Sequence, residues 1–401
     1  MEKYLVINGG SSSLKFSLYE MPSEKVICKG YIEKIGFSDS FWNINYNDKK
    51  ISGEKFLSDH KEAVKVMIDE LINNKIIDSM NEICGVGHRV LHGGEIYNES
   101  VLIDDKVLND ITDLTVLGPL HHPGEIAGIK AMQEVISDIK QVAVFDTAFH
   151  QTMPRENYIY ATPLEWYKKY KVRRYGFHGT SHKYITELMQ DKLSKKDVNL
   201  IICHVGSGAS ITCVKNGKSF DTSMGLTPLD GLVMGTRSGA IDPSIIKFVA
   251  DQSGDNLDKL TNDLNKNSGL IGICGKNDFR DVFKLKNEGN DEAMLAYDVF
   301  MDSIIKYIAE YYFELEGNVD AIIFTAGVLE NNPALRKDII GKLSKVIGIN
   351  INNENNDSIG YGRPNKEGII TTDDSKTRVF VLPTDEEVMI VRDTYRIIKE
   401  A

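Results

Sequence analysis

The chain has little of what marks a disulfide-stabilised, zinc-clustered or membrane-spanning protein. Its five cysteines are scattered through 401 residues without a Cys-x-x-Cys pair, which argues against a disulfide framework or a structural zinc site and favours a reducing compartment. No apolar run reaches the ~18 residues that a membrane helix needs. The first residues enter a strand-like segment directly and lack the features of a signal peptide. We therefore expect a cytoplasmic protein.

Positive charge is also in short supply. Lysine and arginine total 47 against 58 acidic residues, for a net charge of −11. Nucleic acids and anionic membranes are bound by surfaces with a basic excess, so we expect neither among the partners. The hydrophobic content of 42 % is ordinary for a globular protein, and the length predicts two or three domains at about 150 residues each.

The opening segment predicts three strands around a turn rich in glycine and serine. Tyr4–Ile7 is apolar, Leu14–Tyr19 alternates with the period of a half-buried strand, and Val26–Ile32 follows. The intervening turn, Asn8–Ser13, contains two glycines and three serines.

A similar unit returns in the second half of the chain. Asn199–Cys203 and Ile211–Val214 are strand-like and flank the turn His204–Ser210, and Asn216-Gly217 is a strong hairpin signal. The two halves also match further on, in the apolar segments Val142–Ala148 and Ile322–Gly327. So long a period predicts a duplicated domain.

Helical patterns alternate with these strands, which predicts an α/β fold. One helix is expected to follow an N-cap at Thr180 or Ser181. Polar or glycine- and proline-interrupted composition predicts loops over 350–357 and 360–367. The predicted helices are Lys61–Asn73, Tyr184–Leu193, Ala293–Leu315 and Val388–Ile398.

Two glycine-rich turns offer what phosphate groups require. In Asn8–Lys15 and His204–Gly208, glycines allow close backbone approach, while amides, hydroxyls and a lysine supply donors and charge. The first turn alone is also compatible with an ordinary hairpin turn whose serines face water. As a pair in equivalent places of two halves, they indicate a cleft that binds a nucleotide polyphosphate.

Two arginines stand in glycine-bearing segments where an anion can reach them. Arg89 and Arg237 can bind carboxylate or phosphate oxygens with a forked guanidinium; a surface ion pair is the alternative for each. Asp146, at a strand end, and the acidic run 385–387 are candidate magnesium ligands. The acidic run is also what the dipole of a following helix favours.

Together these motifs resemble the acetate kinase family, within the superfamily of acetate and sugar kinases, Hsp70 and actin. The resemblance covers nearly the whole chain. The matching segments, in family order, are Asn8–Lys15, His88–Glu95, Pro119–His121, Val144–His150, Arg174–His182, Asp278–Arg280, Phe324–Gly327 and Pro383–Glu387.

The resemblance implies two duplicated actin-like (ribonuclease H-like) α/β domains with an active-site cleft between them. The expected domains are 1–149 plus 384–401, and 150–383, the second binding nucleotide and forming the interface of a homodimer. The implied activity is reversible Mg²⁺-dependent (or Mn²⁺-dependent) transfer of the γ-phosphoryl group of ATP to acetate, giving acetyl phosphate and ADP.

The resemblance also implies roles for individual residues. The catalytic residues are Arg89, Asp146, His178 and Arg237. The acetate site comprises the two arginines with Leu91, Leu120, Phe177 and Pro228. The nucleotide site comprises Ser13, Lys15, His204, Gly206, Ser207, Gly208, Asp278, Phe279, Arg280, Gly327, Val328 and Asn331. Asn8 and Glu386 lie at the metal.

Alternatives stay open at this point. A phosphorylated Asp146 competes with direct transfer as a mechanism, although a carboxylate nucleophile is already ionised and needs no strong base. Propionate or another short-chain carboxylate is the rival substrate. A nucleotide-binding regulator of the same fold is a third possibility, motivated by Ser207 where the family usually has Asn and by Leu329 where it usually has Gly. A sugar kinase has little support, because the two arginines would have no evident role.

Leu329 is expected to add a side chain near the adenosine site and to resist a positive φ. The segment 122–125 also departs from the family's usual Asn-Pro pattern. Leu91 stands where the family often has Val, and its extra methylene predicts a preference for acetate over propionate.

Overall fold

A computed structural model describes residues 1–136 and 138–401 and divides into two compact units. Unit 1 comprises Met1–Gln151 and Asp385–Ala401, and unit 2 comprises Thr152–Thr384. Each unit contains one mixed β-sheet with helices, so the α/β class predicted from the sequence is confirmed. Among the described residues, no helix is long and apolar enough to cross a membrane.

Fourteen strands are present in the described residues. The strands are β1 (Glu2–Gly9), β2 (Ser13–Met21), β3 (Lys25–Glu33), β4 (Phe41–Tyr46), β5 (Lys49–Glu54), β6 (Ile83–Val90), β7 (Val101–Leu102), β8 (Gln141–Phe145), β9 (Leu200–Val205), β10 (Ala209–Lys215), β11 (Lys218–Thr222), β12 (Ala321–Thr325), β13 (Gly368–Ile369) and β14 (Arg378–Val381).

The helices occupy most of the remaining chain. They are α1 (His60–Asn73), α2 (Asp105–Asp113), α3 (His122–Val135), α4 (Arg155–Tyr158), α5 (Leu164–Tyr170), α6 (Gly179–Leu193), α7 (Ser244–Ser253), α8 (Leu257–Lys266), α9 (Gly269–Cys274), α10 (Phe279–Asn287), α11 (Asp291–Glu314), α12 (Ala326–Asn331), α13 (Pro333–Ile347), α14 (Asn353–Ser358) and α15 (Glu386–Glu400). Short 3₁₀ turns cover Met80–Glu82, Leu114–Leu117 and Ala148–Thr152.

The two sheets share a central strand order. Unit 1 is ordered β5-β4-β3-β2-β1-β6-β8-β7 and unit 2 is ordered β11-β10-β9-β12-β14-β13. In both, an antiparallel three-strand meander is followed by two strands parallel to the first strand of the meander. This common order supports the predicted duplication.

Local sequence signals account for several of these elements. The fully buried strands β8, β9 and β12 are nearly continuous apolar runs, as parallel strands covered on both faces require. The predicted hairpin joins β10 to β11, and both Asn216 and Gly217 have positive φ, at 53° and 74°. That combination is the one a two-residue type I′ turn needs.

Two sequence-based expectations about helices are wrong. Helix α6 begins at Gly179, and its N-cap is His178 in the left-handed conformation with φ 56°, neither Thr180 nor Ser181. Its first turn is buried despite being polar, so hydrophobic periodicity could not reveal it. The segment 350–357, expected to be a loop, contains most of α14, whose start is capped by the Asn352 side chain accepting the Asn355 N–H.

The core of unit 1 explains how its polar edge is held. Side chains of the sheet such as Leu5, Leu14 and Leu18 form one cluster with apolar residues of α1 and α3. The C-terminal helix α15 packs against β1, β6 and β8. Glu386, the first residue of α15, is thereby fixed in unit 1.

Candidate active site

The parallel strands of unit 1 bring three predicted residues to one edge of the sheet. Asn8 lies near the end of β1, Arg89 lies near the end of β6, and Asp146 directly follows β8. The register pairs Ile7 with His88 and Arg89 with Val144. Carboxyl ends of parallel strands meet at the same edge, which is where α/β sheets bind ligands.

Arg89 and Asp146 form a buried ion pair at this edge. Arg89 Nε lies 3.2 Å from both carboxylate oxygens of Asp146, and Nη2 lies 2.5 Å from Oδ2. Asp146 is fully buried, and its charge is the main reason that the pKa of Arg89 is raised. Nη1 of Arg89 has no hydrogen-bond partner in the described chain, so one end of the fork can still meet an anion.

Two further carboxylates surround this arginine. Glu125, at the start of α3, is buried and accepts the Leu91 N–H at 3.2 Å. Burial raises its pKa to about 8, opposed by the charge of Arg89. Burial also raises the pKa of Glu386, which the charge of Arg89 lowers and that of Asp146 raises further. Unit 1 therefore places three carboxylates around one guanidinium.

This donor set fits a divalent cation. Carboxylate oxygens and the amide oxygen of Asn8 are hard ligands of the kind that Mg²⁺ and Mn²⁺ take. A site with more acidic than basic groups also gains from an added positive charge. Asn8 and Glu386, with Asp146 nearby, are the residues that would hold it.

The first glycine-rich turn packs tightly on α3. A Cβ added to Gly9 would lie 2.8 Å from the Gly124 carbonyl oxygen, and one added to Gly124 would lie 2.4 Å from Gly10. Both distances are too short for a side chain, so close packing by itself requires glycine at positions 9 and 124. Of the turn's predicted nucleotide ligands, Lys15 is exposed and Ser13 partly exposed.

In unit 2, His178 is held from two sides. Its Nδ1 lies 2.9 Å from Ser210 Oγ, and its ring stacks on His204 with centroids 4.2 Å apart. His204 Nδ1 lies 2.8 Å from Ser181 Oγ, which in turn contacts Thr384 Oγ1 at 2.7 Å. These contacts fix the two predicted histidines side by side.

Gly208 lies between His178 and Arg237. A Cβ built on it would be 3.5 Å from His178 Nε2 and 3.6 Å from Arg237 Nη1. Arg237 Nη1 contacts the Pro228 carbonyl oxygen at 3.3 Å and the Met234 sulfur. No acidic side chain among residues 1–136 and 138–401 pairs with Arg237, and burial lowers its pKa. An imidazole and an uncompensated guanidinium therefore converge on this loop.

The same loop borders a cavity of about 640 Å³ within unit 2. Eight residues of the predicted nucleotide site line it: Gly206, Ser207, Asp278, Phe279, Arg280, Gly327, Val328 and Asn331. The volume suits a small organic ligand.

The expectation for Leu329 is wrong. This residue is buried, lies in α12, has no positive φ and does not line the cavity. The residue of this segment with positive φ is Ala326, at 66°, and its N–H is accepted by Glu330 Oε1 at 2.6 Å. Leu329 therefore gives no reason to expect weaker nucleotide binding.

The proposed acyl-pocket residues are divided between the units. Leu91 and Leu120 belong to unit 1, where Leu91 is buried and Leu120 exposed. Phe177 and Pro228 belong to unit 2, where Phe177 is buried and Pro228 partly exposed.

Sequence reasoning missed several residues that support these groups. Glu125 had the signature of a surface residue opening a helix, where acidic side chains suit the dipole. Ser210 was assigned to the turn 204–210, whereas the structure places it in β10. Tyr361 and Asn332 line the same cavity of unit 2 but lie outside the motifs that the sequence analysis identified.

Comparison with known proteins decides the family. The sequence profile of the acetokinase family matches residues 3–392 of this chain. The chain belongs to the acetokinase family. Acetokinase relatives match over the full length: the acetate kinase of Bacillus subtilis (strain 168) is 48 % identical over 402 residues, covering 100 % of both chains.

Solved acetokinase structures share the fold. Acetate kinase of Porphyromonas gingivalis superposes with a TM-score of 0.94 at 39 % identity, covering 99 % of this chain and 100 % of its own. A propionate kinase from Francisella tularensis gives a TM-score of 0.92 at 41 % identity with the same coverage. Solved structures named acetate kinase and propionate kinase therefore share this fold.

Proposed function

We propose that this protein is an acetate kinase, which reversibly transfers the γ-phosphoryl group of ATP to acetate and yields acetyl phosphate and ADP. The observation that carries the proposal is the arrangement at Gly208, where His178 Nε2 and Arg237 Nη1 converge beside the cavity of unit 2. Family membership and the names of the relatives supply the carboxylate acceptor.

Unit 2 supplies the nucleotide site in this proposal. The adenosine occupies the cavity between 277–280 and 327–331, and the phosphates run along 206–208 towards His178. Arg237 has no acidic partner in the described part of the chain and can devote its guanidinium to an incoming anion. His178 and Arg237 neutralise the charge of the phosphoryl group in flight, which is the main demand of this chemistry.

Unit 1 supplies the carboxylate and metal groups. Asp146 fixes the guanidinium plane of Arg89, which leaves Nη1 for the acetate or for the phosphoryl group. The residues proposed for the acetate methyl group are Leu91 and Leu120 of unit 1 and Phe177 and Pro228 of unit 2. When bound at Asn8 and Glu386, Mg²⁺ or Mn²⁺ supplies charge neutralisation to the phosphates.

Transfer is direct and in line. Acetate is ionised at neutral pH, so its oxygen attacks the γ-phosphorus while the bond to the β,γ-bridging oxygen of ATP breaks. Chiral γ-phosphate, labelled with three oxygen isotopes, tests this step. Inversion at phosphorus is expected, whereas retention would indicate two displacements through a phosphorylated Asp146.

We also infer a homodimer in a reducing cytoplasm. Exposed apolar side chains of unit 2 are most numerous on α5, α7 and α11, among them Trp166, Phe248 and Leu295, as an oligomer interface would require. All five cysteines are free thiols. Sedimentation equilibrium should give twice the chain mass, and Phe248→Glu should shift the protein towards monomer.

The activity is tested by trapping the acyl phosphate with hydroxylamine. Acetate, propionate and butyrate are each combined with ATP, GTP or pyrophosphate, and acyl hydroxamate and ADP are both quantified. We expect equal amounts of acetyl hydroxamate and ADP. Tight ATP binding without acetate-dependent ADP release would instead favour the regulator, and a higher kcat/KM with propionate would favour propionate kinase.

A further inference from the structure

A buried serine hydroxyl joins two histidines in unit 2. Ser210 Oγ lies 2.9 Å from Nδ1 of His178 and 2.8 Å from Nε2 of His182. Ser210 is fully buried on β10, where the sheet register places it opposite His204. His178 is the N-cap of α6 and His182 lies one turn further along that helix. The contact is therefore built by a strand and a helix.

The hydroxyl has one proton to give. Among residues 1–136 and 138–401 it has no hydrogen-bond partner besides these two rings. It therefore donates to one imidazole nitrogen and accepts an N–H from the other. The positions of the protons on His178 and His182 are thus linked through a single oxygen.

The two possible arrangements differ at the nitrogen that faces the loop. If Ser210 donates to Nδ1 of a neutral His178, the ring proton resides on Nε2, the atom 3.5 Å from a Cβ built on Gly208. If Ser210 instead accepts from Nδ1, Nε2 is a bare acceptor and repels a phosphoryl oxygen. Only the first arrangement gives a neutral ring that can donate to the transferring group.

The ring itself has little freedom to turn. It stacks on His204 at an interplanar angle of 22°, and His178 carries a left-handed backbone. The His204 ring is in turn fixed by Ser181. The remaining variable is the tautomer, which the Ser210 proton sets.

We propose that Ser210 is a positioning residue that donates its proton to Nδ1 of His178 and so presents Nε2–H to the phosphoryl group. This rests on the proposed role of His178 in phosphoryl transfer. His182 completes the arrangement by donating its Nε2–H to Ser210 Oγ. Ser210 touches no substrate in this scheme and acts through His178 alone.

Imidazole ¹⁵N NMR of the intact chain without substrates tests the tautomer directly. The His178 signals are assigned by their loss in His178→Gln. We expect wild type to carry the proton on Nε2 and Ser210→Ala to show a mixture of tautomers. A wild-type proton on Nδ1, or an unchanged tautomer in Ser210→Ala, would overturn the proposal. This readout needs no activity, so it stands apart from failure of the proposed function.

Kinetics give the second test. Ser210→Ala should lower kcat by about 10- to 100-fold with little change in the KM for ATP, and Ser210→Thr, which keeps the hydroxyl, should recover most of the loss. In a His178→Ala background, Ser210→Ala should cost nothing more. If the losses of kcat in His178→Ala and Ser210→Ala add fully in the double variant, Ser210 does not act through His178 and its role is merely structural.

Thr212→Val is the matched control. Thr212 is a buried hydroxyl two residues along the same strand, and its Oγ1 contacts Thr222 Oγ1 at 2.9 Å and no histidine. Its loss should leave the His178 tautomer and kcat unchanged. An effect as large as that of Ser210→Ala would also contradict the proposal.

Discussion

The two units share a strand order and differ in the charge they gather at its edge. In unit 1, Arg89 is paired with Asp146 and surrounded by Glu125 and Glu386, and its pKa is raised. In unit 2, Arg237 has carbonyl and sulfur contacts and no acidic partner in the described chain, and its pKa is lowered by burial. The duplicated scaffold thus presents one edge suited to a cation and another suited to an anion.

The difference teaches that the arginines are not equivalent, although they look alike in sequence. Arg89 is part of a local charge network that holds it in place, with only part of its fork available. Arg237 is a partly buried cation without an acidic partner among residues 1–136 and 138–401. Such a group costs free energy until an anion arrives, which is the property expected of a polyphosphate site.

Arg237→Ala should give the largest effect on activity. Removing a donor aimed at charge that develops in the transition state should lower kcat/KM by about 10²–10³-fold. Because no acidic group is left unpaired, the free energy of unfolding should hold steady or rise. Steady-state assays measure the activity, and urea unfolding measures the stability. The control is Arg396→Ala, which removes an exposed arginine on α15. A lower free energy of unfolding in Arg237→Ala would contradict the proposed difference between Arg237 and Arg89.

Arg89→Ala should reduce both activity and stability. It leaves Asp146 buried without its guanidinium, and breaking such a pair costs about 3 kcal/mol. Denaturant unfolding should therefore show a lower midpoint. Adding Asp146→Asn should restore most of the stability without restoring turnover. If Arg89→Ala unfolds at the wild-type midpoint, the pair contributes nothing to the fold.

Leu91→Val sharpens the unit 1 side of the comparison. The removed methylene should enlarge the acyl pocket and raise the ratio of propionate to acetate kcat/KM about tenfold. Wild type itself should prefer acetate. The two ratios are measured with the hydroxamate assay, and an unchanged ratio would place Leu91 outside the pocket.

One buried group in each unit, His88 and Glu314, should respond to pH in opposite senses. Burial lowers the pKa of His88 in unit 1 to about 4; the unfolded chain then binds more protons between pH 4 and 6.5, so this group's contribution to stability rises with pH. Burial raises the pKa of Glu314 in unit 2 to about 7. The folded chain binds more protons between about pH 4.5 and 7, so this contribution falls as pH rises.

Glu314→Gln isolates the second effect. The neutral amide should raise the free energy of unfolding by about 1 kcal/mol at pH 8, a value discounted for the partial exposure of the side chain. At pH 5, where Glu314 is protonated, the variant and wild type should match. Urea unfolding across this range measures the difference, and an equal difference at both pH values would exclude titration of Glu314 as its cause.

The parts of the fold and of the candidate site that depend on neighbouring residues in the sequence could be predicted from it. The turn 204–208 combines glycine and hydroxyl residues within a few positions, and Arg237 stands alone among glycines. The site residues that were missed depend on packing between distant elements. Glu125 of α3 reaches Leu91, which follows β6, and Ser210 meets His178 only where β10 contacts the start of α6. The expectation that Leu329 lies near the adenosine site failed for the same reason. Neighbouring elements determine which face of α12 is buried, and Leu329 lies on that face.

The most direct measurement of the charge division compares two ligands on the intact chain. Mn²⁺ binding is followed by electron paramagnetic resonance and metal-free ATP binding by calorimetry in EDTA, in wild type, Glu386→Gln and Arg237→Ala. We predict that Glu386→Gln weakens Mn²⁺ binding and spares ATP, while Arg237→Ala weakens ATP binding and spares Mn²⁺. If either variant weakens both ligands equally, the assignment of cation to unit 1 and anion to unit 2 is contradicted.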